Sequence, residues 1–152
     1  MSMLSNIQTS LISAIGTMTI ANGYNYTYSH TQQEDFNKTS FPLINTYLIP
    51  NEESFETNMF CINEMRNYAR FQLHCYNKAI SAGCNNKFLN NYILYNMQHD
   101  IKKMIGNTYT LWGLCEGLLY RRSYKLPSGL TNDIFIPEKL VVEIDIPYSE
   151  NR

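Results

Sequence analysis

The stretch "KLVVEIDIPY", residues 139–148, puts Leu140, Val142, Ile144, Ile146 and Tyr148 at every second position, with Glu143 and Asp145 between them. Side chains of a strand alternate between two faces, so this pattern predicts a strand with one apolar and one charged face. A strand of that kind needs a sheet and a second layer to bury its apolar side. The same period runs through "CINEMRNYARFQLHCYN". There Cys61, Met65, Ala69, Phe71, Leu73 and Cys75 fall toward a core, while Glu64, Arg66, Arg70, Gln72 and His74 fall outward.

Helical periodicity appears twice. Leu4, Ile7, Leu11, Ala14 and Ile15 recur at helical spacing, with Gly16 as a plausible stop. Over 87–105, Phe88, Tyr92, Leu94 or Tyr95, Met97, Ile101, Met104 and Ile105 lie near one stripe. Lys102 and Lys103 suit the negative end of that helix, and Gly106 follows. Further strands are expected where "YNYTYSH" alternates its tyrosines, over 43–49 after Pro42, and over 114–124. The polar stretch 31–40 and the connector "KLPSGLTNDIFIPE" read as loops. The expected order is α-β-β-β-α-β-β. The fold class is α+β: a single mixed or antiparallel sheet of about five strands with two helices packed on one face.

At 152 residues the chain has the size of one domain, and 1–152 is expected to be a single unit. A formal net charge of −1 supplies no global attraction to nucleic acid or to an anionic membrane. No stretch approaches the length of a membrane span, and the first residues lack the pattern of a signal peptide, so a soluble product made inside the cell is expected. Cys61, Cys75, Cys84 and Cys115 form no Cys-x-x-Cys pair and are expected to be reduced thiols.

Catalytic constellations are hard to assemble from these residues. Glu52, Glu53 and Glu56 could supply an acid and a base, but a solvated loop does not separate their pKa values. His30, His74 and His99 are scattered, without metal-ligand spacing. His74 beside Cys75 would face the opposite side of a strand, and His99 beside Asp100 would point elsewhere on a helix. Arg121 and Arg122 with Tyr120 and Tyr124 make a nucleic-acid patch too small to hold a strand. In "WGLCEG", Gly113 and Gly117 read as strand bends rather than a phosphate loop. No catalytic, cofactor-binding or metal-ligating residue is expected. Ile134, Phe135 and Ile136 carry more information: three large apolar residues in a row should cover an edge of their own sheet or be buried against another chain, and the flanking Pro127 and Pro137 favour the second.

The order of these segments resembles that of the tail-terminator proteins of long-tailed bacteriophages, the lambda-like minor tail proteins that cap the tail tube. The segments carrying the resemblance are "MLSNIQTSLISAI", "FPLINTYL", "NEESFE", "RNYARFQLHCYN", "YNMQHDIKKMI", "GLLYRRSYK" and "KLVVEIDIPYSEN". The resemblance implies a virion protein, made in the host cytoplasm and placed at the tail–neck junction. It implies a homo-hexameric ring on the last ring of tail-tube subunits that ends tube polymerisation and offers a surface to the head-completion or neck protein. The tail sheath protein is a further candidate partner; DNA only passes through the channel, and there is no cofactor and no membrane.

In such a ring each subunit needs two different complementary patches. The expected interface residues are Ile134, Phe135 and Ile136 between subunits, and Glu52, Glu53 and Glu56 toward the tube or the channel. Arg66, Arg70, Arg121 and Arg122 are expected to pair with carboxylates of a neighbour or of the tube. Two alternatives stand beside this reading: another phage neck or tail-completion protein, and a small α+β ligand-binding domain or enzyme whose pocket is lined by Tyr24, Tyr26, Tyr28 and His30.

Overall fold

The structure, a computed structural model, describes residues 2–30, 43–48, 54–57, 64–77, 80–81, 84–85, 87–127, 129–131, 134–136 and 138–151. The elements in chain order begin with α1 (Met3–Gly16), a 3-10 turn (Ile20–Asn22), β1 (Ser29–His30), β2 (Leu43–Leu48), β3 (Ser54–Thr57) and β4 (Glu64–Tyr76). The short pair β5 (Ile80–Ser81) and β6 (Cys84–Asn85) precedes α2 (Lys87–Asn107). Then come β7 (Leu119–Leu126), β8 (Gly129–Thr131), β9 (Ile134–Ile136) and β10 (Lys139–Asn151).

The fold is α+β. One mixed sheet runs in the order β1-β2-β4-β10-β7, with β3 also paired to β4. Only β1 and β2 run parallel; the other pairs are antiparallel. β2 and β3 share one side of β4. From Leu48 opposite Phe71 to Ser54 opposite Tyr68, their side has five intervening residues where β4 has two.

At the centre, β4 and β10 pair along nearly their whole length, from Leu140 opposite Cys75 to Asn151 opposite Glu64. That register sets Ala69, Phe71, Leu73 and Cys75 beside Ile146, Ile144, Val142 and Leu140 on one face. All eight are buried in a single cluster with Ile7, Leu11, Ala14 and Ile15 of α1 and Leu94, Met97, Ile101 and Met104 of α2. Both helices therefore cover the same face. The alternation in sequence and the helical stripes meet in one core, where transfer from water stabilises each large apolar side chain by about 1.5–3 kcal/mol.

Several boundaries differ from the sequence reading. α1 starts where the Ser2 side chain accepts from Ser5 N at 3.1 Å, and it includes Gly16, with Thr17 as its right-handed cap. Of "YNYTYSH" only Ser29–His30 forms a strand. Tyr24 to Thr27 have other partners: Asn25 N donates to Asp100, and the Thr27 hydroxyl accepts from Ile20 N. α2 runs through Gly106 to Asn107. In its stripe Tyr92 and Tyr95 are exposed, and Leu94 takes the core position.

Residues 114–118 are a turn, not the start of a strand. Leu111, Trp112 and Gly113 have φ of 48°, 58° and 88°, so three successive residues are left-handed. This reverses the chain, and Leu118 N donates to Tyr109 O at 2.8 Å. Gly117 packs under the Tyr109 ring, where a Cβ would come within 2.5 Å of a ring carbon. The glycines of "WGLCEG" thus shape a turn rather than bend a strand.

The connector between β7 and β10 holds the hairpin β8–β9. Leu126 lies opposite Lys139, and three positions further out Gly129 lies opposite Ile136. The register continues unchanged, so β7–β8 and β9–β10 are the two arms of one long hairpin. Between these two ladders stands Pro127, which lacks an N–H. β10 meets β4 only from Leu140 onward. The distal ribbon therefore runs past the end of the β4–β10 pairing.

Candidate functional site

The face of the sheet away from the helices carries a polar network that starts at a bulge. Glu143 lies opposite Arg122, yet Ile144 lies opposite Tyr120, so Arg121 is the extra residue. A bulge turns two successive side chains toward one side. Accordingly both guanidiniums reach the same carboxylate: Arg121 Nη1 donates to Glu143 Oε1 at 2.8 Å, and Arg122 Nε donates to the same oxygen. Tyr120, one position earlier, lies on the helix side and accepts from Gln98 at 2.8 Å.

Glu143 is buried, while Arg122 is the more exposed of its two partners. Burial pushes the Glu143 carboxyl up, but hydrogen bonds from Arg122 and Gln72 and the charges of both arginines outweigh it and hold the group below its ordinary 4.5. The Arg122 guanidinium, bonded to that carboxylate, is raised in turn. Two cations share one anion here. The cluster keeps a positive excess at its exposed end, with Arg122 over the Tyr124 ring at 5.2 Å.

From Glu143 the network runs across β4. Gln72 Nε2 donates to Tyr124 OH at 3.1 Å and to Glu143 Oε2 at 3.4 Å. Gln72 Oε1 lies 3.0 Å from His74 Nε2, and Lys139 Nζ lies 3.1 Å from His74 Nδ1. An ammonium can only donate, so Nδ1 accepts and Nε2 carries the proton. Burial and the adjacent Lys139 charge lower the His74 pKa to about 4, in keeping with that neutral ring. Beside the network, Arg70 grips Asp145 with two bonds, Nε to Oδ1 at 2.8 Å and Nη2 to Oδ2 at 3.4 Å.

Of the residues expected at an interface, Arg70, Arg121 and Arg122 come together on this face, and each has a carboxylate of its own chain. Glu56 stands opposite Arg66 in the β3–β4 register, so those two opposite charges are also cross-strand neighbours in sequence register. Glu52 and Glu53 lie outside the described residues. Ile134, Phe135 and Ile136 form β9, beyond the end of the sheet and apart from the arginines.

The residues of the tyrosine stripe take different places, with Tyr26 and His30 half-buried. Tyr24 and Tyr28 are buried in the core. Tyr28 OH donates to Asp100 at 2.6 Å, and Asn107 Nδ2 donates to Tyr24 OH at 3.1 Å. Asp100 also accepts from Asn25 N and Asn25 Nδ2 at 3.0 and 2.9 Å. Burial first, and then the bond to Asp100, raise the Tyr28 pKa far beyond its usual range. A helix carboxyl buried this way and bonded to a loop locks that loop to α2. His30 Nε2 lies 3.0 Å from Thr46 Oγ1.

Sequence reasoning missed Asp100 as a residue of consequence, and placed Glu143 outward without seeing that it would be buried. The signal for Glu143 was present. A carboxylate in the middle of "LVVEIDI", across from a strand reading Arg70, Gln72 and His74, calls for a cation on its other flank. Cys75 and Cys115 are free and buried, and burial raises both thiols, so neither is a reactive thiolate.

Among the described residues no cluster of His, Cys, Asp and Glu could hold a metal ion, and no helix is long and apolar enough to cross a membrane. No known protein family matches the chain in sequence, and no curated protein matches it.

Proposed function

We propose that the chain is a structural protein of a long-tailed bacteriophage, a tail terminator that closes into a hexameric ring on the end of the tail tube. In this role it stops tube polymerisation and presents the opposite side of the ring to the neck. The observation that carries the reading is the ordered likeness of its segments to tail terminators, together with a fold of the kind that likeness implies. That fold has two helices on one face of a mixed sheet, and a hairpin arm that extends past the sheet with apolar residues on it.

The chemistry of the polar face supports a scaffold more than a catalyst. Its charges are engaged in cross-strand pairs and its histidine is held neutral, while the thiols of Cys75 and Cys115, in the core on the other side, are pushed away from ionisation. Interfacial charges of this sort set register and exclude wrong partners more than they add affinity. Burial of Tyr24 and Tyr28 in the core weighs against the pocket alternative. A different neck ring remains the nearest competing role and differs in its target.

Electron microscopy of polymerising tail-tube protein, with and without this chain, tests the proposal. Capped tubes that no longer elongate are the expected result. Unchanged tube growth with bare ends would overturn it.

A further inference from the structure

We infer that the outer edge of β7 receives an extended acidic segment of a different protein, whose carboxylate sits against Arg121 and Arg122 and whose apolar side chains cover Leu119 and Leu126. β7 is the last strand of its sheet and pairs only with β10 among the described residues. None of its eight residues is buried, whereas Leu140 to Ile144 of β10 beside it all are. An edge strand open along its whole length offers its backbone donors and acceptors to another strand.

The register fixes what such a strand meets on the face away from the helices. Leu119 lies opposite Asp145, Arg122 opposite Glu143, Tyr124 opposite Val141 and Leu126 opposite Lys139. These four stand in one row on that face, and the bulge adds Arg121 to its middle. Both ends of the row are apolar and open, with Leu119 44% and Leu126 39% exposed. Between them the Arg122 side chain is 58% exposed, while Glu143, which it shares with Arg121, is 2% exposed. The row thus presents cations flanked by apolar residues.

Charge selects the occupant. Two guanidiniums converge on one carboxylate oxygen, so a positive charge is left over at the exposed end of the group. Arg122 is pinned through Nε to Glu143 and lies over the Tyr124 ring at 5.2 Å, and Gln72 holds the Tyr124 hydroxyl at 3.1 Å. A guanidinium fixed on one side and open on the other grips a second carboxylate with little further loss of freedom. Two edges of this kind carry the same charge and repel one another, so the edge rejects its own copy and accepts an acidic strand. A nucleic-acid backbone also brings negative charge, but it leaves the flanking leucines uncovered and needs more cations than these two. The segment that fits is therefore a strand with an Asp or Glu in the middle of an otherwise apolar face.

The inference concerns the chemistry of a partner and does not rest on the ring reading. The probe is a synthetic peptide, Val-Thr-Leu-Thr-Glu-Thr-Leu-Thr-Val, titrated into the isotope-labelled chain while its amide resonances are followed by nuclear magnetic resonance. Saturable shifts centred on β7 are expected at peptide concentrations of about 1 mM or below. The same peptide with Gln in place of Glu is expected to bind the wild-type chain roughly ten-fold more weakly or worse, as loss of a charge-assisted bond does. Arg122→Gln keeps Arg121 on Glu143 and should abolish the preference for the acidic peptide. Leu126→Ser should weaken both peptides alike, and thermal melting checks that each variant is folded. No saturable shift on β7, or equal binding of the two peptides to the wild-type chain, would overturn the inference. So would a thymidine oligonucleotide that shifts Arg121 and Arg122 at lower concentration than the peptide does, which would make the edge a phosphate site.

Discussion

The two faces of the central sheet are made from the same pair of strands and are held by different physics. On the helix face, β4 contributes Ala69, Phe71, Leu73 and Cys75 and β10 contributes Leu140, Val142, Ile144 and Ile146, all buried in one cluster with α1 and α2. On the other face the same strands contribute Arg70, Gln72, His74, Glu143 and Asp145, joined by directional bonds. Apolar packing is non-directional and tolerates exchange, whereas each member of a polar network fixes the rotamer and protonation state of the next. The first face supplies stability. The second sets the geometry of a surface.

The largest expected effect lies on the apolar side. Phe71→Ala removes a fully buried ring that stands opposite Ile144 and is expected to lower unfolding free energy by about 3–5 kcal/mol, read by denaturant titration. A loss under about 1 kcal/mol would mean that the helices do not rest on this face. Asp100→Ala should follow, at about 1–3 kcal/mol, because Tyr28 OH and Asn25 would lose their shared acceptor. Hydrogen exchange at 19–28 should quicken in that variant while β4 and β10 stay protected; uniform exchange would show that the loop is not a separate unit.

On the polar face the comparison can be sharpened with pH. His74 is lowered from 6.5 to about 4, so between those values the unfolded chain binds a proton that the folded chain refuses. The stability linked to this group is complete above pH 6.5 and is lost as pH falls toward 4. His74→Gln should flatten that slope. Glu143 is also held below its ordinary 4.5, so its contribution is complete above that value and fades as pH falls through the folded value. Glu143→Gln should remove that more acidic part of the decline and leave the His74 part in place. An unchanged slope in both variants would contradict the network.

The smallest effect concerns the turn. Trp112 is 64% exposed at φ 58°, a conformation that costs a residue with a Cβ about 1–2 kcal/mol. Trp112→Gly should leave the melting temperature unchanged or slightly higher. A clear drop would reveal packing by the indole.

What the sequence made legible follows from the same physics. Period-two alternation in 139–148 assigned the faces of β10, and the stripes in α1 and α2 located the second layer, because burial of an apolar face leaves a local repeat. The Tyr24 to Thr27 stretch alternates just as well but is held by Asp100, seventy-odd positions away, and local pattern carries no trace of so distant a partner. The bulge at Arg121 was invisible for a related reason. It exists only in the register between two strands, and that register decides that two adjacent arginines meet one carboxylate.

The most direct test of the account is the mass of the purified chain, measured by light scattering over a wide concentration range with and without tail-tube protein. The account predicts species of six subunits, stabilised by the tube protein. A monomer at every concentration, indifferent to the tube protein, would contradict it.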